Sequence, residues 1–525
     1  MLLKDFLENR NPQVAFTLLN TYPNAVFVDE LRIELAGELV NRNRLKSARA
    51  VLRPVKLSSV RDRYAPKVVN LWKALKLDPK PLVLRFPEYA VESIDGLKFS
   101  PRERERILKR LLFRKKYKAL IKLNLSTCFY RGVAFFKLKR YNDALSSLRA
   151  CKDDRAPKYL LYTYMRIGDK KSIYDLLAKE KNPSLHFIYG WSLLGKGRYK
   201  EAKAQFLKAG DSFRPVFYAG VVDYIYGNFK SAYNFFSRAQ ELASEPFQKA
   251  RAYFWKAKTL TSLGRSDEAR TYLEKASRFE GFYGAVARKL LERPVYTDDA
   301  EGQKYTGETP FLSRLKAIHR LGFLYYMRKE ALRKKNHMNE ADIIGLLDID
   351  PFLAIRLAVT KFGIGSDIYR RIAFPTPFEK YVYEASKRFD IEPALIYAVM
   401  RQESLFDTEA VSISGAKGLM QLMDFTARWI SKKVGYAYSD IFDPRSNIFL
   451  GTAYLSFLMD FWNKDIVRVV ASYNAGQGAV SRWRKYEDDF LFIETIPYNE
   501  TRKYVRRVLW FYYVYREILS RGKRK

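Results

Sequence analysis

A short motif recurs through the first 300 residues and constrains the fold of this chain more than any other feature of the sequence. Each copy opens with a turn-forming Gly, Asn or basic residue and, in the clearest cases, ends on a small Ala. The clearest copies are residues 139–144, 197–202, 227–232 and 264–269, with degenerate copies at 168–173 and 44–48. From Ala144 onward the copies recur roughly every 29 to 37 residues, a period typical of helix-hairpin repeats.

Between these turns, apolar residues recur at spacings of three and four, which indicates α-helices rather than strands. The turn residue ends one helix, an aromatic packs inward, and the Ala lets the second helix approach the first closely. The pattern resembles tetratricopeptide-type repeats, and stacked hairpins of this kind form a curved α-superhelical solenoid. We therefore predict an all-α protein whose N-terminal part is such a solenoid.

Two breaks divide the rest of the chain. Pro, Gly and Asp cluster over residues 293–310, and a second break comes at 363–365 and 375–377. A chain of 525 residues is too long for a single core, so several domains are expected. The predicted domains are a superhelical helix-hairpin repeat domain, a helical linker domain and a C-terminal domain, at residues 1–300, 301–372 and 373–525.

The composition limits the partners and cofactors that the chain can use. The formal net charge is +38, which attracts polyanions such as nucleic acid, an anionic membrane surface or an anionic cell-wall polymer. The basic residues are spread along the chain, which argues against a nucleic-acid groove. The three histidines, His186, His319 and His337, lie far apart and show no metal-ligand spacing, so we expect no metal site and no cofactor.

The two cysteines and the N-terminus leave alternatives open. Cys128 and Cys151 lie at similar distances on either side of the turn at 139–140. Antiparallel helices would bring them level, either as a disulfide or as two small buried apolar residues. The sequence contains no apolar stretch long enough to span a membrane. The first residues lack the apolar core of a signal peptide, so the protein is cytoplasmic or its export signal is missing from this chain.

The C-terminal domain holds a carboxylate in a setting that suits acid–base chemistry. Pro393 suits the first turn of a helix, and an apolar run over 394–400 follows, ending in Arg401-Gln402-Glu403-Ser404. Apolar neighbours and the negative end of the helix dipole would both raise the pKa of Glu403. A general acid that works near neutral pH needs such a shift.

Three further motifs follow in order within about 100 residues. They lie at 412–421, which ends in Gly-Leu-Met-Gln, at 471–476, which contains Tyr-Asn-Ala-Gly, and at 496–505, which contains Glu-Thr-Arg-Lys-Tyr-Val. The glycines permit close backbone approach to a ligand, and the amides and tyrosines suit hydrogen bonding and stacking with sugars. Taken alone, a buried Glu also fits a structural salt bridge, Gly-Leu-Met-Gln fits a helix start, and Tyr-Asn-Ala-Gly fits a helix C-cap.

Together these motifs resemble the catalytic domain of soluble lytic transglycosylases, which has a lysozyme-like α-helical fold. The resemblance rests on Glu403-Ser404, the Gly-Leu-Met-Gln at 418–421, the Tyr-Asn-Ala-Gly at 473–476, and Glu500-Thr501 with Tyr504-Val505. Ser472 and the Asp424-Phe425 pair depart from the usual pattern. The helical N-terminal half resembles the superhelical domain of the large members of this family.

The resemblance implies a site and a reaction. Glu403 would be the catalytic acid and base, with Tyr504 close to it. Substrate-binding residues would be Ser404, Ser412, Gly418, Met420, Gln421, Tyr473, Asn474 and Glu500. The enzyme would cleave the bond between N-acetylmuramic acid and N-acetylglucosamine in peptidoglycan and leave a 1,6-anhydro end. We interpret Asp407 as a surface or capping residue rather than a second carboxylate, and Glu500 as a structural partner of the Tyr504 helix rather than an acid.

Three other functions compete with this one. They are a hydrolytic muramidase of the same fold, a non-catalytic helical-repeat scaffold that binds the wall, and a basic nucleic-acid binder. On the favoured interpretation the partners are peptidoglycan glycan strands, with association to a membrane surface or a cell-wall protein and no nucleic acid. The chain would act as a monomer in the periplasm, because its substrate lies there.

Overall fold

The computed structural model describes residue 9 and the ranges 11–21, 27–296, 309–363 and 366–522. All regular secondary structure in these ranges is helical. The sheet-like pairing found there is confined to isolated bridges, from Lys417 to Val411 and to Leu422. The predicted all-α class is confirmed, whereas most of the break expected at 293–310 lies outside the described residues.

The described part of the chain up to residue 181 is a succession of short helices. Their bounds are α1 Pro12–Thr21, α2 Val28–Asn41, α3 Leu45–Leu52, α4 Ala65–Ala74, α5 Pro79–Arg85, α6 Pro101–Phe113, α7 Tyr117–Lys122, α8 Cys128–Lys137, α9 Tyr141–Arg149, α10 Ala156–Ile167 and α11 Lys170–Lys179.

Three regular hairpins and a single helix follow, and then a shorter group of helices. The hairpin region has α12 Pro183–Gly195, α13 Tyr199–Lys208, α14 Phe213–Ile225, α15 Phe229–Glu241, α16 Pro246–Ser262, α17 Ser266–Ser277 and α18 Phe282–Leu290. The shorter group has α19 Pro310–Arg320, α20 Leu324–Arg333, α21 Glu340–Gly345, α22 Pro351–Phe362 and α23 Asp367–Ile372.

The C-terminal helices carry the sequence motifs. They are α24 Glu379–Phe389, α25 Pro393–Glu403, α26 Asp424–Val434, α27 Pro444–Phe461, α28 Ile466–Ala475, α29 Gln477–Val480, α30 Asp489–Thr495 and α31 Asn499–Gly522. The longest of them, α31, packs along the buried α25. Residues 394–400 of α25 are all at most 3% exposed, so the apolar run predicted from the sequence is the centre of this domain's core.

The hairpin motif works as predicted at its turns. Gly227 lies between α14 and α15 with a φ of +75°, a left-handed conformation that glycine adopts without strain. Ala202 and Ala232, which end their copies of the motif, are fully buried. Gly220 of α14 faces Phe236 of α15 so closely that an added Cβ would lie 2.9 Å from the ring. Small residues therefore set the close approach of paired helices.

The chain divides into two compact units. One is Met1–Lys181 with Leu315–Arg333, and the other is Asn182–Arg314 with Lys334–Lys525. The hairpins α12 to α17 thus belong to the same compact unit as the C-terminal helices. These units are defined by contacts in space, and they do not test boundaries defined by breaks in the sequence. The three domains 1–300, 301–372 and 373–525 therefore stay a prediction.

Cys128 and Cys151 form a disulfide in the first unit. Cys128 begins α8 and Cys151 follows α9, and their Cα atoms lie 5.7 Å apart. Cys128 is exposed and Cys151 is partly exposed, so of the two alternatives the pair of buried apolar residues is wrong. The antiparallel hairpin brings the two residues level, as the spacing predicts.

Removing this disulfide should destabilise the first unit. The bond closes a loop with a sequence separation of 23 residues, and a loop of that length contributes about 3 kcal/mol to the free energy of unfolding. Urea unfolding of the Cys128→Ser/Cys151→Ser double variant should show this loss, and dithiothreitol should produce the same loss in the wild type but not in the variant. Two titratable thiols in the denatured, unreduced wild type would contradict the disulfide.

Candidate active site

Glu403 ends α25 and lies where buried apolar residues meet the surface. Met400 is fully buried and Phe406 is 1% exposed, while Glu403 itself remains partly accessible. The pKa of Glu403 is raised to about 7. Burial is the largest cause and raises the pKa, the hydrogen bond from Tyr504 lowers it, and the charge of Glu500 raises it. The carboxyl group is therefore half protonated near neutral pH, as a general acid requires.

Tyr504 is the direct partner of Glu403. Its hydroxyl donates a hydrogen bond to Glu403 Oε1 at 2.7 Å, and its side chain is 4% exposed on α31. Burial and the neighbouring Glu403 carboxylate raise the pKa of Tyr504 well above its ordinary value. The phenol is therefore protonated at neutral pH and stays a hydrogen-bond donor. The structure places Tyr504 against Glu403, and the catalytic role of the pair stays a prediction.

Tyr473 and Asn474 at the end of α28 lie beside this pair. The Tyr473 hydroxyl donates to the Met420 carbonyl at 2.9 Å, and burial followed by the Glu403 charge raises the pKa of Tyr473. The Thr501 hydroxyl donates to Asn474 Oδ1 at 2.6 Å. The structure thus brings the second and third motifs together on the elements around Glu403.

The loop from Ser404 to Gln421 is held mainly by its own hydrogen bonds. The Ser404 hydroxyl donates to the Leu419 carbonyl at 2.8 Å, and Ser412 Oγ accepts the backbone N–H of Ala416 at 3.0 Å. The Gln421 amide donates to the carbonyls of Ala410 and Gly418 at 3.1 and 2.9 Å. These side chains shape the wall of the site, and their contact with substrate stays a prediction.

Met420 and Gly418 are placed in the interior. Met420 is fully buried and packs against Gly451, where an added Cβ would lie 2.3 Å from the Met420 sulfur. Gly418 has a φ of +74°, and an added Cβ would meet the Asn447 amide at 2.3 Å. Met420 supports the loop from inside, and its contact with substrate stays a prediction.

Asn447 is a site residue that the sequence analysis missed. It is fully buried in α27, and its Oδ1 accepts the backbone N–H of Met420 at 2.8 Å. Its amide nitrogen donates to the carbonyls of Lys417 and Ile441 at 3.1 and 2.8 Å. One side chain thus satisfies two backbone groups of the loop and ties the loop to the carbonyl of Ile441. The signal in the sequence was a lone amide among the apolar residues of α27.

The remaining candidate carboxylates have different surroundings. Glu500 is exposed in the first turn of α31 and acts on Glu403 through its charge. Asp407 accepts the backbone N–H of Glu409 at 3.0 Å, which fits the capping role expected for it. Across the described ranges, no cluster of three or more His, Cys, Asp or Glu side chains could hold a metal ion.

Among the helices that the structure describes, none combines the length and the apolar character needed to cross a bilayer.

The raised pKa of Glu403 predicts a pH-dependent stability difference. Between about pH 4.5 and 7 the folded protein keeps a proton that the unfolded chain releases, so the free energy of unfolding falls as pH rises through this window. Glu403→Gln removes that loss. Relative to wild type, the variant should be similar near pH 4 and more stable by up to about 3 kcal/mol near pH 8.

Urea unfolding at both pH values measures this difference. Glu409→Gln is the matched control, because it removes an exposed carboxylate from the same loop. Parallel stability curves for wild type and Glu403→Gln across this pH range would contradict the raised pKa.

Comparison with known families matches three segments of the chain. Residues 380–496 match the Transglycosylase SLT domain family, which covers all of the motifs except the last. Residues 495–524 match the soluble lytic transglycosylase helical domain. Residues 250–280, which contain most of α16 and α17, match a tetratricopeptide repeat.

Individual relatives agree with this result. The soluble lytic murein transglycosylase of Escherichia coli K12 is 28% identical over 294 residues, which is 53% of this chain and 45% of that protein. The chain therefore spans less than half the length of this relative.

Solved structures match over a greater length. The crystal structure of the 70 kDa soluble lytic transglycosylase of E. coli has a TM-score of 0.66 at 19% identity, covering 98% of this chain and 90% of that one. An inactive Glu-to-Gln mutant of lytic transglycosylase Slt from Pseudomonas aeruginosa has a TM-score of 0.58 at 20% identity, covering 99% and 91%. These likenesses confirm the predicted fold class.

Proposed function

This chain belongs to the soluble lytic transglycosylase family, and from that premise we propose that it cleaves peptidoglycan. The bond cleaved is the β-1,4 linkage between N-acetylmuramic acid and N-acetylglucosamine. The observation that carries the proposal is the Glu403–Tyr504 pair, in which a carboxyl group with a pKa of about 7 receives a hydrogen bond from a buried phenol. That pair supplies an acid at neutral pH.

Glu403 acts first as a general acid. Its proton passes to the glycosidic oxygen as the bond to C1 of N-acetylmuramic acid breaks, and positive charge develops on that sugar ring. The Tyr504 hydroxyl then stabilises the new Glu403 carboxylate, because the hydrogen bond at 2.7 Å favours the charged form. The charge of the exposed Glu500 disfavours the Glu403 carboxylate. Tyr504 and Glu500 therefore shift the pKa of Glu403 in opposite directions.

The second half of the reaction returns the proton to Glu403. The carboxylate takes the proton of the 6-hydroxyl of the same muramic acid, and that oxygen attacks C1 to close a 1,6-anhydro ring. Because nucleophile and electrophile belong to one sugar, the step is intramolecular and gains from proximity. One carboxyl group suffices for both halves, whereas most glycosidases use two.

Partners and location follow from the substrate. The partners are peptidoglycan glycan strands, and the net charge of +38 favours a polymer with anionic peptide stems. Association with a membrane surface or a cell-wall protein, a monomeric state and a periplasmic location all belong to this proposal.

Substitution of Glu403 tests the chemistry. Glu403→Gln keeps the shape of the side chain and loses the transferable proton, so release of soluble products from purified sacculi should fall by about 10⁴-fold or more. Tyr504→Phe should reduce activity less, because it removes the group that stabilises the acid and leaves the acid in place. Near-normal activity of a folded Glu403→Gln variant would show that the site is misplaced, whereas a wild type that binds sacculi and releases no products would favour the wall-binding scaffold.

The product distinguishes this enzyme from a hydrolytic muramidase of the same fold. Anhydro products should be about 18 Da lighter than the hydrolysed muropeptides, which is the mass of one water. Mass spectrometry of sacculi digested by the wild type measures this difference directly. Reducing muramic acid ends would assign the chain to the hydrolytic alternative.

A further inference from the structure

Behind α31 lies a buried cluster of charged residues that the proposed chemistry does not use. Glu494 of α30 is fully buried, and its Oε1 accepts Arg251 Nε at 2.8 Å. A second nitrogen of the Arg251 guanidinium donates to Oε2, and the Tyr283 hydroxyl donates to Oε1. Arg506 of α31 lies 3.5 Å from Oε2. This carboxylate therefore has three partners, all inside the protein.

The partners of Glu494 come from two parts of the chain. Arg251 lies on α16 and Tyr283 on α18, which belong to the hairpin region, whereas Arg506 lies on α31. The Arg251 guanidinium also donates to the Tyr218 hydroxyl of α14 at 2.9 Å. All of these residues lie within the second compact unit. The cluster thus fastens the C-terminal helices to three helices of the repeats.

One face of α31 turns towards the repeats. Arg502 and Arg506 are four residues apart and so lie on the same face of the helix. The Arg502 guanidinium lies 4.2 Å from the ring centroid of Trp191, and that of Arg506 lies 4.9 Å from the ring centroid of Phe247. These cation–π contacts pair the two buried cations with aromatic side chains of the hairpin region.

Other residues of the same two turns point towards the active site. Thr501 donates to Asn474 at 2.6 Å, and Tyr504 donates to Glu403 at 2.7 Å. The residue that contacts the catalytic acid therefore lies between Arg502 and Arg506 in sequence. A shift of α31 against α25 would move the Tyr504 hydroxyl relative to Glu403.

The contact between α31 and the repeats contains buried charged groups. Arg251, Arg502 and Arg506 are 3–6% exposed, and Glu494 is fully buried. Burial opposes ionisation of Glu494, but the charges of Arg251 and Arg506 outweigh it and lower the pKa of this carboxyl. Glu494 is therefore ionised at neutral pH, and it offsets part of a positive charge that burial makes costly.

We propose that Glu494 and Arg251 are positioning residues that hold α31 in place and thereby keep the Tyr504 hydroxyl against Glu403. The consequence for cleavage rests on the proposed function, but the effect on Glu403 does not. The bond from Tyr504 favours the charged form of Glu403. A displaced α31 weakens that bond and leaves Glu403 a weaker acid.

A double-mutant cycle in the full-length protein tests this. Arg251→Lys keeps the positive charge but loses the planar fork that binds both carboxylate oxygens. The pKa of Glu403 would be measured by ¹³C NMR of its labelled carboxyl group in wild type, Arg251→Lys, Tyr504→Phe and the double variant. Both single variants should raise it, each by about 0.5 or more. The double variant should match Tyr504→Phe alone, because both changes act through one hydrogen bond.

Two further variants separate positioning from loss of stability. Asp223→Asn removes a buried carboxylate that pairs with Lys203 inside the repeats, so it should lower the melting temperature without moving the pKa of Glu403. Tyr283→Phe removes only one hydroxyl from Glu494, and it should move that pKa in the same direction as Arg251→Lys. If Arg251→Lys fails to fold, Tyr283→Phe replaces it in the measurement of the Glu403 pKa.

The outcomes separate this inference from the proposed function. An unchanged Glu403 pKa in folded Arg251→Lys and Tyr283→Phe, or additive shifts in the double variant, would overturn the positioning role even in an active enzyme. If the pKa shifts in the cycle are non-additive but the wild type releases nothing from sacculi, the positioning role is sustained and the proposed function is refuted. If the enzyme is active, kcat of Arg251→Lys should fall no further than kcat of Tyr504→Phe. The alkaline limb of the pH–kcat profile of Arg251→Lys should lie at higher pH than that of the wild type, because the pKa of Glu403 is raised.

Discussion

The hydrogen bond from Tyr504 to Glu403 joins two residues that are 101 positions apart in sequence, and the rest of the site is arranged around it. A carboxyl group with a pKa of about 7 requires burial, yet a fully apolar pocket would prevent the acid from ionising during the reaction. The buried phenol resolves this conflict, because it favours the carboxylate without adding a charge. Burial is thus the main cause of the raised pKa of Glu403, and the position of α31 affects that pKa through this hydrogen bond.

That position depends on packing on both sides of α31. Apolar residues of α25 line one side, and the buried cluster around Glu494 lies on the other. The hairpins α12 to α17 supply Arg251 and Tyr218 to that cluster. They belong to the compact unit that contains Glu403, and their aromatic and arginine side chains complete its interior. A C-terminal domain cut at residue 373 would expose Glu494 and Arg506 to water.

Much of this protein could be predicted because local physics controls it. The turns of the hairpins need residues such as Gly227, and the close helix pairs need Ala202 and Ala232. The apolar run before Glu403 implies a buried helix and a raised pKa for the residue at its end. Asn447 and Glu494 escaped prediction for the opposite reason. A buried polar residue among apolar neighbours is recognised as structural only when its distant partners are known.

By itself, the sequence determined the helices, their hairpin pairing and the candidate acid, because periodicity and turn chemistry act over few residues; the motif that contains the partner of Glu403 came from the family resemblance. Only the tertiary structure decided which carboxylates are ionised and which loop is held by Asn447. It also decided that Arg251 and Glu494 meet across 243 residues. The physical reason is that burial and charge pairing depend on everything packed around a group, and neither can be read from its neighbours in the chain.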